Sequence, residues 1–173
     1  NSLYATKQIS KPKLRYFPED KKKVVDYYSA NDGSEAEMQI GVEFIKVIKS
    51  FGADSSNALE FVFGYEMAHI FLEQTNIYMV GSGYADNQLT RKYNYLSRDT
   101  IYSSILESQA DEQAIFNAHI GGYNVTHIAE EVLKRIYTHF KLNHKLRGYP
   151  TLDDRIKIAR LSVVKMSAIL ERF

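Results

Sequence analysis

Two short clusters hold the side chains best suited to chemistry, Tyr65-Glu66-Met67-Ala68-His69 and Glu107-Ser108-Gln109-Ala110-Asp111. In each, the first and last residues stand four positions apart, so on an α-helix they project from one face, a turn apart. An imidazole, carboxylates and a phenol are nitrogen and oxygen donors that can hold a divalent cation, and a glutamate beside such a cation can take a proton from its bound water. The chain has no cysteine. That excludes a disulfide framework, a thiol nucleophile and any Cys-ligated metal, so a metal would have to be held by His, Asp, Glu or Tyr. Each cluster also has a purely structural reading. Glu66 and His69 read equally as polar core residues satisfied by hydrogen bonds, and Glu107 and Asp111 as an exposed acidic stripe.

The first cluster spells Y-E-x-x-H, one residue away from the H-E-x-x-H of zinc peptidases, in which two imidazoles at i and i+4 bind the metal. Further landmarks follow in order: Glu107 to Ala114, Gly121-Gly122-Tyr123-Asn124, and Tyr149-Pro150-Thr151-Leu152-Asp153-Asp154-Arg155-Ile156. In order and spacing this series resembles the gluzincin metallopeptidases, in the class that includes the CAAX-prenyl proteases, the bacterial heat-shock membrane proteases and their soluble periplasmic relatives. The resemblance covers residues 55 to 165.

It implies a zincin-like fold, a zinc ion as cofactor and a peptide or protein substrate. It also implies roles: Glu66 as general base, His69 and Glu107 as zinc ligands, Asp111 as support behind them, and Arg155 as an electrostatic partner. Two positions depart from the pattern. Tyr65 stands where the family has its first zinc-binding His, and Tyr149-Pro150 where it has a His-Pro pair. A phenol with an unperturbed pKa near 10 is a poorer ligand at neutral pH than an imidazole, which makes Tyr65 a doubtful third ligand. A His, Glu and Tyr set would admit Zn, Fe or Mn. Tyr149 or Arg155 is the group expected to steady a tetrahedral oxyanion. His144, in the connection from Asn143 to Gly148, is the histidine placed to substitute for the missing landmark; His119, His127 and His139 read as surface or capping residues. Two functions follow: metal-dependent peptide hydrolysis, weakened or silenced by Tyr65, and a pseudopeptidase acting as a binding or regulatory module.

The elements that must position these residues are mainly helices. Ser34 and Glu37 have capping-box spacing, and Ile40, Phe44, Val47, Ile48 and Phe51 recur at helical intervals, predicting a first helix that ends near Gly52. Asp54 to Asn57 offer caps for a second, apolar almost all round, that carries Tyr65 to His69. A third runs from about Asp99 to Gly121-Gly122 and carries Glu107 and Asp111. Asn124 is read as the cap of a fourth helix, and Thr151 with Asp154 as the cap of a fifth. Residues 14–17 and 77–80 are expected to form a small edge sheet, and Val24 to Tyr28 to be either strand or helix. The expected fold is thus mainly α within an α+β class, about five helices with a small sheet, divided into an N-terminal extension over 1–33 that packs on a helical domain over 34–173.

Composition narrows the partners. With 22 basic against 21 acidic residues in 173, the chain has neither the basic surplus of a nucleic-acid module nor the acidic surplus of a solvating tail. The Lys21-Lys22-Lys23 run reads as a solvated face. The apolar stretch from Ala58 to Leu72 is interrupted by Glu60, Glu66 and His69 and falls short of the roughly 20 residues of a membrane span, so no span is expected. The chain opens on Asn1 rather than Met, which leaves room for a targeting segment removed before it, and lack of cysteine is compatible with the cytoplasm, the compartment favoured here. Oligomeric state is not legible.

Overall fold

The computed structural model describes residues 13–19, 24–29, 36–71, 100–142 and 150–171. These carry three strands, β1 (Lys13–Phe17), β2 (Val25–Ser29) and β3 (Ala36–Gly41), and five α-helices: α1 (Val42–Lys49), α2 (Ser55–Phe71), α3 (Thr100–Ile120), α4 (Ala129–His139) and α5 (Leu152–Leu170). The protein is therefore mainly helical with a small sheet. It divides into two compact units, Asn1–Ser55 and Ser56–Phe173.

In the first unit the strands lie in the order β1-β3-β2, with β1 parallel and β2 antiparallel to the central β3. The helix predicted from Ser34 is corrected here: residues 36–41 are the central strand, and the helix starts only at Val42. Met38 and Ile40 are buried while Glu37 and Gln39 are half-buried, which is the period of two that a strand requires. Two neighbouring strands supply ladder partners for this segment, and that pairing overrides the local capping signal. The Ile40 to Phe44 spacing that looked helical straddles the strand–helix junction. Beyond it, α1 follows its amphipathic pattern, burying Phe44, Val47 and Ile48. Residues 14–17 do form an edge strand, paired with β3; the expected partner at 77–80 lies outside the described residues.

The second unit is helical among the described residues. A 3-10 turn over Gly52–Asp54 leads into α2, and Asn57, read as one of its caps, instead accepts a hydrogen bond from the Asn124 backbone amide, 3.2 Å away, tying the start of α2 to the segment after α3. Small residues let α2 and α3 come close: Ala68, Ala110, Ala114 and Ala118 are fully buried, and a Cβ built on Gly64 would stand 2.9 Å from the Ala114 carbonyl oxygen. Because that neighbour is backbone on a long helix, it cannot swing aside. Gly64→Ala is therefore expected to force the helices apart and destabilise the protein by about 1–3 kcal/mol, read from a denaturant melt. An unchanged midpoint would mean that the two helices do not depend on this approach.

The Gly121-Gly122 stop of α3 is a Schellman end. Gly122 takes a left-handed φ of 85°, its amide donates to His119 O and the Tyr123 amide to Ala118 O, both at 2.9 Å. Asn124 does not cap α4, which begins five residues later after Ile128, with no side-chain cap; Asn124 accepts from the Thr126 hydroxyl instead. Thr151 and Asp154 do make the reciprocal capping box expected of them at the start of α5. α5 packs on both α3 and α4. Lys165 reaches Glu112 of α3 at 2.6 Å, and Arg160 grips Glu130 of α4 with two bonds of 2.8 Å. Among the described residues no helix is long and apolar enough to cross a membrane.

Candidate functional site: a hydrogen-bonded helix crossing

The sequence-predicted residues on α2, α3 and α5 meet within the second unit. The close crossing at Gly64 brings the next residue of α2, Tyr65, against Glu107 of α3, and the Tyr65 hydroxyl donates to Glu107 Oε2. One turn further along α2, His69 Nε2 lies 3.8 Å from that same oxygen, close enough for a charge interaction and too far for a hydrogen bond. The Tyr65 and His69 rings touch edge to face, with centroids 4.8 Å apart. Glu107 is almost wholly buried, which rules out the exposed acidic stripe. Glu66 is half-buried on α2 between them in sequence.

Asp111, one turn below Glu107, is completely buried and holds Arg155 of α5 in a two-pronged bond, Nε to Oδ2 at 2.7 Å and Nη2 to Oδ1 at 2.5 Å. The Arg155 guanidinium also lies over the Tyr65 ring, 4.6 Å from its centroid, so it reaches the centre of the site through Asp111 and Tyr65 together. Sequence reasoning missed Tyr137 of α4, whose ring flanks the same guanidinium at 5.7 Å. The available signal was its neighbour Ile136 on the buried stripe of α4; a tyrosine beside that stripe, facing a helix with a buried cation, is a cation–π candidate. Among the described residues no buried side-chain nitrogen or oxygen lacks a hydrogen-bond partner. Tyr149 and His144 lie outside the described residues.

The electrostatics follow from this packing. Burial holds the Tyr65 phenol well above the ordinary tyrosine value; Arg155 works against the rise, while Glu107, Asp111 and Glu66 add to it. Tyr65 is thus a neutral donor at physiological pH. Burial likewise lifts the Asp111 carboxyl above its usual range, against the pull of Arg155. For Arg155, burial acts to lower the value, but Asp111 and then Tyr65 outweigh it, and the guanidinium stays charged.

This donor set can be tested against a zinc ion. His69 Nε2 and Glu107 Oε2, 3.8 Å apart, fit two ligands of one cation, since two bonds of about 2.0–2.2 Å laid end to end reach slightly beyond that distance. The third position does not fit: it carries a phenol that keeps its proton and spends it on Glu107. Among the described residues no group of three or more His, Cys, Asp or Glu side chains could hold a metal. As the chain stands, the residues supply two zinc ligands and a hydrogen bond where a third would be.

Compared with protein-family models, with curated proteins and with solved structures, the chain matches none.

Proposed function

We propose that this is a zincin-like domain of the gluzincin metallopeptidase type in which Tyr65 closes the metal position, leaving a non-hydrolytic module that binds a peptide or protein segment. The observation that supports this reading is the Tyr65 hydroxyl bond to Glu107 Oε2, on the oxygen that His69 also approaches. In it, Tyr65 joins α2 to α3 with a proton, His69 and Arg155 pack against its ring, and Asp111 keeps the Arg155 charge neutralised. A buried polar cluster of this kind fixes the register of two helices when every member is satisfied.

A second reading, a weak metal-dependent peptidase, draws on the separation of His69 and Glu107, which suits two ligands of one cation. Glu66 is the base in that reading. A peptide-library digest with added zinc separates the two: no cleavage is expected from the unmodified chain. Glu66→Ala is expected to lower the melting point instead, because its removal leaves buried partners unpaired at about 1–3 kcal/mol. Zinc-dependent cleavage that disappears in Glu66→Ala without a change in melting would overturn the binding-module reading in favour of the peptidase.

A further inference from the structure

The apolar face of the sheet in the first unit runs one strand beyond its cover. Paired residues in a sheet share a face, so the register puts Leu14 with Met38, and Tyr16 with Ile40 and Val25. Met38 and Ile40 are each 3% exposed and Val25 6%, whereas Leu14 is 64% and Tyr16 53% exposed on the same face. The opposite face of β1 carries Lys13 and Arg15; Arg15 lies 3.6 Å from Glu37 and remains 62% exposed. Among the described residues β1 pairs only with β3, which leaves the other side of its backbone as a sheet edge. Such an edge is a template for another strand.

We propose that β1 docks an extended peptide segment of a partner protein, one whose residues alternate between apolar and acidic, by strand addition. Apolar residues of the segment would lie beside Leu14 and Tyr16, and its carboxylates beside Lys13 and Arg15. A second copy of β1 suits this edge poorly. In an antiparallel pair centred on Arg15, Arg15 faces Arg15; in a parallel in-register pair, Lys13 and Arg15 each face themselves; and a slip of one residue sets Leu14 opposite Arg15. Like charges placed directly opposite destabilise a strand pair, and a one-residue slip sends apolar side chains to the wrong face. Acidic side chains turn each of those repulsions into an attraction. Backbone bonds supply the affinity in strand addition and alternate side chains the choice of partner. The proposal is independent of the reading of Tyr65.

Fluorescence anisotropy on the full chain tests it, using a labelled eight-residue peptide of alternating glutamate and valine, a lysine–valine counterpart, and two glutamate–valine versions N-methylated at alternate positions. Saturable binding is expected for the glutamate peptide and not for the lysine peptide. One N-methylated version is expected to lose binding and the other to keep it, because alternate amides of an added strand point toward the edge. Arg15→Glu and Tyr16→Ser, both on exposed side chains, should each weaken binding, by about tenfold for the charge reversal, with unchanged circular dichroism. Equal binding of both N-methylated peptides, affinity unchanged in both variants, no binding of the glutamate peptide, or self-association of the chain through β1 would each overturn it.

Discussion

Tyr65→His is expected to turn the chain into a zinc protein. The substitution removes the phenol that donates to Glu107 and puts an imidazole one turn from His69, so that two imidazoles and a carboxylate face one point. Without metal the variant should be less stable than the unmodified chain by about 1–3 kcal/mol, since a buried carboxylate loses its hydrogen-bond donor. With zinc at about a hundred times its dissociation constant, binding returns about 2.7 kcal/mol, and the midpoint should rise in a chelator-sensitive way. Affinity should fall as pH drops below about 6.5, because both imidazoles must be neutral to ligate. Detectable peptide cleavage in this variant, lost on adding Glu66→Gln, would show that the base and the substrate path are still in place; a zinc-loaded but inert variant would show that the oxyanion stabiliser has gone.

Asp111→Ala carries the second large effect. Asp111 is completely buried and both its oxygens bond Arg155, whose side chain is 11% exposed. Removing the carboxylate leaves a guanidinium in the interior with no counter-charge, and breaking such a pair from one side costs about 3–5 kcal/mol. Arg155 cannot discharge itself, because its pKa stands above the ordinary guanidinium value. The opposite deletion, Arg155→Met, should cost less at low pH, because Asp111 can take up a proton. Its pKa is already raised by burial, and a carboxyl whose folded value lies above its unfolded value stabilises the fold below the unfolded value and loses that contribution as pH rises through the folded one. The deficit of Arg155→Met should therefore grow with pH, whereas that of Asp111→Ala should not. Denaturant midpoints of both variants from pH 4 to 8 check this (a range set by the ordinary carboxyl and imidazole values of about 4 and 6.5). Equal and pH-independent losses would mean that the pair is not isolated from solvent.

Much of the helix pair was legible because it depends on local spacing. Tyr65, His69, Glu107 and Asp111 are each separated from a partner by one helical turn, and a helical periodicity long enough to place α3 also places the last two of them. The capping box of Thr151 and Asp154 and the Gly122 stop were readable for the same reason, since each uses only neighbours in sequence. What could not be read depends on partners far along the chain. Residues 36–41 carry a good local helix signal and become a strand because β1 and β2 flank them. The bond from Tyr65 to Glu107 spans 42 positions and depends on how closely two helices approach, which Gly64 and Ala114 decide. The grip of Arg155 on Asp111, across 44 positions, redirects a cation that the motif alone placed near a reacting oxygen. Nothing in the local sequence around Arg155 states that its fork is already occupied.

Zinc titration by calorimetry, run on the unmodified chain and on Tyr65→His under the same conditions, tests most directly whether Tyr65 closes the metal position. The unmodified chain should take up no stoichiometric zinc, and its melting point should ignore both zinc and chelator, because the phenol holds its proton against Glu107. Tyr65→His should bind one equivalent and lose it when Glu107 is also changed to alanine. One equivalent bound by the unmodified chain as tightly as by the variant, and lost in Glu107→Ala alone, would contradict the closure and establish Tyr65 as a working ligand.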